Sequence, residues 1–384
     1  MPTDPTPITA WLATQQDAML ALLEEVVNVD SGSYDKAGVD AVGERFRRFF
    51  SEHGIETTVM PNEGFGDAIK AQVPGAGGGN KPIVLMGHRD TVFPKGEAAR
   101  RPFRIEDGRA YGPGVCDMKA GLVMNAFVLA AYQKFGGAPA PLVGLITSDE
   151  EIGSPACRPI IEDTAREARA VLNSEPGRPS GNVVTGRKGG VFMRMEVFGK
   201  AAHSGGNFEQ GVSAIGELAH KIVALHAITD ISRGTTVNVG LIGGGQSVNT
   251  VAPLAECQID LRYVTPPDRA DAMARIEEIL SRATVPGTSA RLEIKGEFKP
   301  LVQDEPSKAL FEAYRAAMRQ VGREVDGEFT GGCADSGFTA SVGCPTLCAV
   351  GPVGGKAHSP EEYLEVESFV PRAQAMALTI ARLA

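Results

Sequence analysis

The chain has 384 residues, of which 43% are hydrophobic and 22% charged, a composition typical of folded globular proteins. This length exceeds what one hydrophobic core usually organises, so we expect two domains. The formal net charge of -9 argues against nucleic acid and anionic membranes as partners, because an acidic surface is repelled by both. A small molecule or a short peptide is the expected substrate.

The N-terminal segment and the cysteines indicate a cytoplasmic protein. The first residues, MPTDPTPITAWL, have neither the basic start nor the apolar run of a secretory signal peptide. The cysteines are scattered along the chain rather than grouped in a disulfide framework, so we expect reduced thiols, with Cys344 and Cys348 packed in the core. No uninterrupted apolar stretch approaches the roughly 18 residues that span a bilayer, so no membrane partner is expected.

Helix and strand patterns alternate in the first half of the chain. Helical periodicity covers residues 8–27, 39–53 and 120–135, and apolar strand patterns cover residues 82–88, 141–148 and 170–176. Continuously apolar strands are typical of a parallel sheet that is covered on both faces. We therefore predict an α/β domain with a mostly parallel central sheet.

Residues 189–299 show a different order, namely strand, helix, strand, strand, helix, strand. This order predicts a ferredoxin-like α+β domain with an antiparallel sheet and both helices on one face. The α/β pattern returns afterwards, with helices over 308–321 and 367–383 around a strand over 345–351. We therefore predict a discontinuous domain of residues 1–188 and 300–384, with residues 189–299 inserted. Exposed edges of the inserted sheet favour a homodimer.

Side chains that bind metals follow three of the predicted strands. His88 ends the first strand and Asp90 follows it, the run Asp149–Glu151 follows the second, and Glu175 lies at the end of the third. Asp117 follows the turn YGPGVC. Because the carboxyl ends of parallel strands meet at one edge of a sheet, we expect these residues to converge.

Together with the late histidine His358, these residues form a ligand set suited to Zn²⁺, with Mn²⁺ or Co²⁺ as substitutes. Five candidate ligands are too many for one tetrahedral zinc with an open position, so we expect two ions; the candidates are His88, Asp117, Glu151, Glu175 and His358. Asp117 is the candidate bridge. Asp90 would hold the second imidazole nitrogen of His88.

The adjacent residues Glu150 and Glu151 point in different directions if the backbone is extended. Glu151 would then bind metal, while Glu150 would take a proton from the attacking water and pass it to the leaving amine. The alternative for the run Asp149–Glu151 is a solvated acidic turn. The remaining helical histidines are expected to be packing or capping residues; they are His53, His220 and His226.

Six phrases of the sequence resemble one enzyme family. They are GHRDTV at 87–92, YGPGVCDMKAG at 111–121, TSDEEIGS at 147–154, NSEPG at 173–177, GKAAHSG at 199–205 and KAHSPEEY at 356–363. Over almost the whole chain they resemble the two-zinc peptidases that include glutamate carboxypeptidase, aminoacylase, acetylornithine deacetylase and succinyl-diaminopimelate desuccinylase. Within this family the sequence is most similar to glutamate carboxypeptidase.

The resemblance implies a division of the ligands between the two zinc ions. His88 and Glu175 would hold one ion, Glu151 and His358 the other, and Asp117 both. It also implies that residues 1–188 and 300–384 form the catalytic domain, with Glu150 as general base, and that residues 189–299 form a dimerisation or lid domain.

In the inserted domain the resemblance implies three contacts with the substrate. His203 would polarise the substrate carbonyl, often across a dimer interface. Asn249 would contact the substrate, and Arg262 would bind its carboxylate, because a guanidinium pairs bidentately with a carboxylate. The alternative for Arg262 is an ion pair with Asp260.

We therefore predict a two-zinc hydrolase that releases a C-terminal, glutamate-like amino acid from an N-acyl or peptidyl substrate. The alternative enzyme is a deacylase of acetylornithine or succinyl-diaminopimelate, or a hydrolase of a non-peptidic amide or aryl amine. The alternative outside the enzymes is a metal-dependent binding protein whose catalytic machinery has decayed.

Overall fold

The structure, a computed structural model, describes residues 5–75 and 81–383; the two ends of the predicted first domain, residues 1–4 and 384, lie outside this part. The helices are α1 (Thr6–Ala13), α2 (Gln16–Val27), α3 (Lys36–Glu52), α4 (Glu97–Arg100), α5 (Ala120–Lys134), α6 (Arg158–Glu167), α7 (Ala214–His226), α8 (Pro266–Ser281), α9 (Glu305–Gln320), α10 (Ser336–Ser341) and α11 (Phe369–Arg382). The strands are β1 (Glu56–Met60), β2 (Ala68–Val73), β3 (Ile83–His88), β4 (Arg104–Glu106), β5 (Arg109–Tyr111), β6 (Leu142–Thr147), β7 (Ala170–Asn173), β8 (Val183–Arg187), β9 (Gly189–Phe198), β10 (Thr236–Gly244), β11 (Leu254–Tyr263), β12 (Ser289–Phe298), β13 (Gly327–Thr330), β14 (Thr346–Cys348), β15 (Gly354–Gly355) and β16 (Tyr363–Glu365).

These elements separate into two compact units. The first unit runs up to Gly186 and also takes in Gln303–Thr330 and the chain from Ala334 onward. The second unit takes in Arg187–Val302 and the short segment Gly331–Cys333.

An eight-stranded sheet with the order β1-β2-β6-β3-β7-β14-β8-β13 lies at the centre of the first unit. Its middle strands β6, β3, β7 and β14 are parallel neighbours, whereas β1 and β2 join antiparallel at one edge. All residues of β3 and β6 are buried, as their continuously apolar sequences predict. The predicted α/β class with a parallel central sheet is therefore confirmed.

The crossover helix α5 is buried on every side, from Ala120 to Tyr132. Among the described residues, the segment Val115–Lys134 is long and apolar enough to cross a membrane by length and composition, but 94% of its most apolar window is buried inside the protein. Such burial is typical of a core helix.

The elements of the first unit differ in part from those predicted. The helix predicted over residues 8–27 is two helices, because it breaks at Thr14, whose backbone N–H and hydroxyl both donate to the carbonyl of Trp11. The edge strand β1 was missed because its sequence, ETTVM, is only half-buried and lacks a continuous apolar run.

The second unit is built on a four-stranded antiparallel sheet with the order β10-β11-β9-β12. Alternate residues of β9, from Val191 to Val197, are buried with those of β11 against α7 and α8. Both helices therefore pack on one face of the sheet, and the predicted ferredoxin-like α+β fold is observed.

A buried lysine joins the two helices of this unit. Lys221 of α7 is 3% exposed, and its Nζ donates to the carbonyls of Ile279, Leu280 and Arg282 at the end of α8, at 2.6, 3.3 and 2.6 Å. The same Nζ lies 3.0 Å from Oε1 of Glu217, which is fully buried. One ammonium group thus binds the final carbonyls of α8, which have no partner within that helix.

We predict that Lys221→Met lowers the free energy of unfolding by about 3 kcal/mol, because it leaves the buried Glu217 carboxylate without its cation. Urea unfolding followed by circular dichroism measures this change. The control is Lys295→Met on β12, whose exposed pair with Glu293 should contribute less than about 1 kcal/mol. Equal midpoints for the two variants would contradict the assignment.

Candidate metal centre

The carboxyl ends of the parallel strands β6, β3 and β7 lie side by side and carry the first part of the site. His88 is the last residue of β3 and pairs in register with Thr147, the last residue of β6. On the other side β3 pairs with β7, which ends at Asn173, two residues before Glu175. The strand order therefore places His88 between the segment that follows β6 and Glu175.

Asp117 lies in a tight turn, Val115–Lys119, that leads into α5. The turn begins after Gly114, whose φ of 72° is left-handed and whose added Cβ would lie 2.5 Å from Cγ2 of Thr91, so only glycine fits. Oδ1 of Asp117 lies 3.3 Å from Nε2 of His88, and Oδ2 lies 3.3 Å from Nε2 of His358. One carboxylate thus faces two histidines through separate oxygens.

The other glutamates are distributed around these two histidines. Nε2 of His358 lies 3.1 Å from Oε2 of Glu151. Nε2 of His88 lies 3.8 Å from Oε2 of Glu150 and 3.8 Å from Oε1 of Glu175. The structure therefore brings all five predicted ligands and the predicted base into one cluster.

Asp90 adjoins the other ring nitrogen of His88, as the sequence predicts. Nδ1 of His88 lies 3.3 Å from Oδ1 of Asp90 and 3.1 Å from its backbone oxygen. The Asp90 carboxylate also accepts the hydroxyl of Ser33 at 2.6 Å and the backbone N–H groups of Glu150 and Glu151 at 3.2 Å each. Burial alone would raise the pKa of Asp90, but these donors hold it below its usual value.

The expected extended backbone at Glu150 and Glu151 is wrong, because the structure has a 3₁₀ turn at Glu150–Ile152. The two side chains still diverge, since successive residues of such a turn are rotated by about 120°. The solvated alternative is also wrong, because Asp149 is 0% and Glu150 7% exposed. Asp149 accepts two backbone N–H groups at the start of α6 instead of joining the cluster.

Crowded carboxylates shift the pKa values of the cluster. Burial raises the pKa of Glu150 well above its usual value and that of Glu151 to about 7. Burial alone would lower the pKa of His88, but the carboxylates of Glu150 and Asp117 raise it well above its usual value. Contacts with Asp117 and Glu151 raise the pKa of His358 to about 10. A cluster that stabilises positive charge in this way favours bound cations.

The donor set fits divalent metal ions. The ligand atoms of His88, Asp117 and Glu151 all lie within 4.8 Å of one another. Within the described part of the chain, Nε2 of His88 and Oε1 of Glu151 are buried without a hydrogen-bond partner. Unpartnered buried polar atoms are costly, and metal coordination would satisfy them. Imidazole and carboxylate ligands suit Zn²⁺.

Sequence reasoning missed two buried carboxylates beside the cluster. Asp335 accepts the hydroxyl of Ser154 and, at 3.3 Å, that of Thr147, and burial raises its pKa to about 7. Glu362 accepts backbone N–H groups of the turn that leads into α5. Glu362 stands in the quoted phrase at 356–363, but the sequence does not distinguish it from its neighbour Glu361.

The histidine that resemblance assigns to the substrate lies in an exposed loop of the second unit. Nδ1 of His203 accepts the backbone N–H groups of Gly205 and Gly206 at 3.1 Å each. The backbone oxygen of Asn249 accepts the N–H of Ser204 at 3.0 Å. The structure thus brings His203 and Asn249 onto adjoining loops.

Arg262 forms the ion pair with Asp260 that the sequence left open. Its Nε and Nη2 lie 2.7 and 3.1 Å from the two carboxylate oxygens of Asp260. Its Nη1 lies 2.9 Å from Sγ of Cys333, and its guanidinium lies 5.1 Å from the ring centre of Phe192. These contacts use three of the five N–H donors of Arg262.

The helical histidines match their predicted packing or capping role only in part. His53 directly follows α3, where its ring contacts a backbone carbonyl, whereas His220 and His226 are exposed on α7, so the packing prediction was wrong for these two. Cys344 and Cys348 are buried, which confirms the prediction of core packing.

Comparison with known proteins places these features in one family. The model of peptidase family M20/M25/M40 matches residues 84–382. Carboxypeptidase G2 of Pseudomonas sp. (strain RS-16) is 30% identical over 369 residues, covering 94% of this chain and 88% of that protein. An acetylornithine deacetylase of Edwardsiella ictaluri is 28% identical over 391 residues, covering 93% of this chain and 96% of that protein.

Solved structures show the same fold. A metallo-carboxypeptidase of the M20 family from Sulfolobus solfataricus has a TM-score of 0.79 at 18% identity, covering 95% of this chain and 99% of that chain. The aminopeptidase PepT of Bacillus cereus has a TM-score of 0.75 at 23% identity, covering 96% of this chain and 98% of that chain. With the family match and the relative at 30% identity, the chain belongs to peptidase family M20/M25/M40 and is a metal-dependent hydrolase of amide bonds.

Proposed function

We propose that each subunit binds two zinc ions, replaceable by Mn²⁺ or Co²⁺, and releases a glutamate-like C-terminal amino acid from an N-acyl or short-peptide substrate. One observation carries the two-metal part of this proposal. The two oxygens of Asp117 lie 3.3 Å from Nε2 of His88 and 3.3 Å from Nε2 of His358, respectively. A carboxylate that faces two histidines separately is suited to bridge two ions.

The remaining candidate ligands divide between the two ions in the same way. Glu175 lies 3.8 Å from His88 and would share the first ion with it. Glu151 lies 3.1 Å from His358 and would share the second. Asp117 would complete both sets.

When bound, the ions supply Lewis acidity, which polarises the scissile carbonyl and lowers the pKa of a water molecule. Glu150 is the base in this proposal, because its buried carboxylate adjoins His88 and is not needed in either ligand set. It takes a proton from the attacking water and delivers it to the amine nitrogen as the C–N bond breaks. Asp90 keeps the ring of His88 in one orientation throughout.

The second unit would supply the substrate contacts. Because Nδ1 of His203 accepts two N–H groups, its neutral ring carries the proton on Nε2, from which it would donate to the substrate carbonyl oxygen. Asn249, on the adjoining loop, would contact the same part of the substrate. Arg262 has two N–H donors beyond its described contacts, and these would bind the substrate carboxylate.

The relatives support two candidate substrates. The similarity to a carboxypeptidase supports release of a C-terminal amino acid. The similarity to acetylornithine deacetylase supports the alternative, a deacylase of acetylornithine or succinyl-diaminopimelate. The proposed chemistry would equally cleave a non-peptidic amide or aryl amine, so substrate choice depends on the binding residues.

We further propose that residues 189–299 form a dimerisation or lid domain, between catalytic segments 1–188 and 300–384. The edge strand β10 supports a homodimer, because Leu241 and Ile242 on it are 62% and 72% exposed. None of the six cysteines forms a disulfide within the described part of the chain, which supports a reducing compartment such as the cytoplasm.

The role of Glu150 is tested by Glu150→Gln, which keeps the shape of the side chain but removes its basic oxygen. We predict that kcat falls about a thousandfold while two metal ions per chain are retained. Steady-state kinetics and elemental analysis of the same samples measure both quantities. The control is Glu167→Gln on the exposed face of α6, which should change neither. Near-normal turnover in Glu150→Gln would refute the assignment.

The substrate proposal is tested with a panel of N-acyl-glutamates, N-acyl-ornithines and dipeptides. We predict the highest kcat/KM for an acyl-glutamate, and a loss of about a hundredfold for its α-carboxamide, because the amide cannot pair with Arg262. Faster cleavage of acetylornithine would establish the deacylase alternative instead. Cleavage of the acid and its carboxamide at equal rates would exclude a carboxylate contact.

The dimer is tested by light scattering at micromolar concentration. We predict that the wild type is a dimer and that Ile242→Lys on β10 is a monomer, because the new charge would be buried in the interface. Ile294→Lys on the opposite edge strand β12, where the residue is 49% exposed, serves as the matched control and should stay dimeric. A monomeric wild type would contradict the proposal.

A further inference from the structure

Glu362 lies beside the turn that carries Asp117 and is 0% exposed. Its Oε1 accepts the backbone N–H groups of Cys116 at 2.9 Å and of Asp117 at 3.0 Å. Its Oε2 accepts the N–H of Gly114 at 3.1 Å. A single carboxylate therefore binds three N–H groups of one turn.

The backbone before Glu362 belongs to the segment that carries His358. In this segment the N–H of Glu362 donates to the carbonyl of Ser359 at 3.2 Å. Lys356 and His358 both have left-handed φ angles, 55° and 64°. Residues other than glycine rarely adopt this conformation, so contacts elsewhere must stabilise the segment.

A small four-stranded sheet brings the two segments together. Its strand β16 starts at Tyr363, directly after Glu362, and pairs antiparallel with β5. Tyr363 stands opposite Tyr111, the last residue of β5 before the turn. The register of this sheet thus places the Glu362 carboxylate beside the turn that carries Asp117.

The contacts of Glu362 require a carboxylate. In the described part of the chain no Lys or Arg forms an ion pair with it, and its oxygens accept the three backbone N–H groups instead. The amide of glutamine has one acceptor oxygen, and its NH₂ group would face an N–H of the turn. Glu361, the preceding residue, is exposed, and among the described residues its hydrogen bonds are with Ser359 of its own loop.

We propose that Glu362 is a positioning residue of the metal centre, which binds the Asp117 turn to the His358 segment and so fixes the separation of these two ligands. The inference rests on the proposed function, since it takes Asp117 and His358 as ligands. Neither ligand is a strand-end residue of the central sheet, so their placement depends on this link. Loss of such a partner typically weakens metal affinity 10- to 100-fold.

The test compares wild type, Glu362→Gln and Glu361→Gln as metal-free proteins. Each is titrated with zinc in competition with a chromophoric chelator, which gives the number and affinity of sites without measuring activity. Thermal unfolding of the metal-free forms reports whether each variant is folded. We expect wild type and Glu361→Gln to bind two ions alike, and Glu362→Gln to bind at least one ion about 10- to 100-fold more weakly.

Glu362→Asp keeps the charge on a shorter side chain and replaces Glu362→Gln if the latter does not fold; a smaller loss of affinity, about tenfold, is then expected. Zinc affinity equal to wild type in a folded Glu362 variant would overturn the inference while leaving the two-metal proposal intact. A lower melting temperature with unchanged affinity would also overturn it, because Glu362 would then stabilise only the fold. A wild type that binds no zinc would instead refute the proposed function.

Discussion

Several carboxylates are buried close together at the carboxyl ends of the parallel strands in the first unit. The arrangement of the candidate site depends on this crowding. Like charges at close range repel strongly where water is excluded, and the histidines compensate only part of this charge. Burial and then the neighbouring carboxylates raise the pKa values of Glu150 and Glu151, and contacts with Asp117 and Glu151 raise that of His358. Bound divalent cations would offset this repulsion, and in the proposed function the same ions would promote hydrolysis.

The strand-end residues could be predicted because their placement follows from topology. Once β6, β3 and β7 are parallel neighbours, His88, Glu150 and Glu175 must converge. Glu362 could not be found in this way, because its position depends on the pairing of β16 with β5 and on hydrogen bonds from three backbone N–H groups. Glu362 faces the turn because it directly precedes β16, whose register against β5 is not indicated by the local sequence.

The second unit was predicted at the level of its elements, because alternating burial along β9 and β11 and the helical patterns of α7 and α8 are local signals. The roles of its proposed binding residues do not follow from such local signals. His203 and Asn249 are exposed, and Arg262 already pairs with Asp260, so their contribution depends on the substrate. The family is shown by sequence comparison, whereas the amino acid that the proposed reaction releases would be selected by side chains whose partner is the substrate.

The central claim is that two metal ions share the Asp117 carboxylate. Anomalous diffraction from crystals of the zinc-loaded protein, recorded above and below the zinc edge, tests it most directly. The account predicts two peaks, one contacting His88 and Glu175 and the other contacting Glu151 and His358, with one oxygen of Asp117 on each. A single peak, or a second peak away from Asp117, would contradict it.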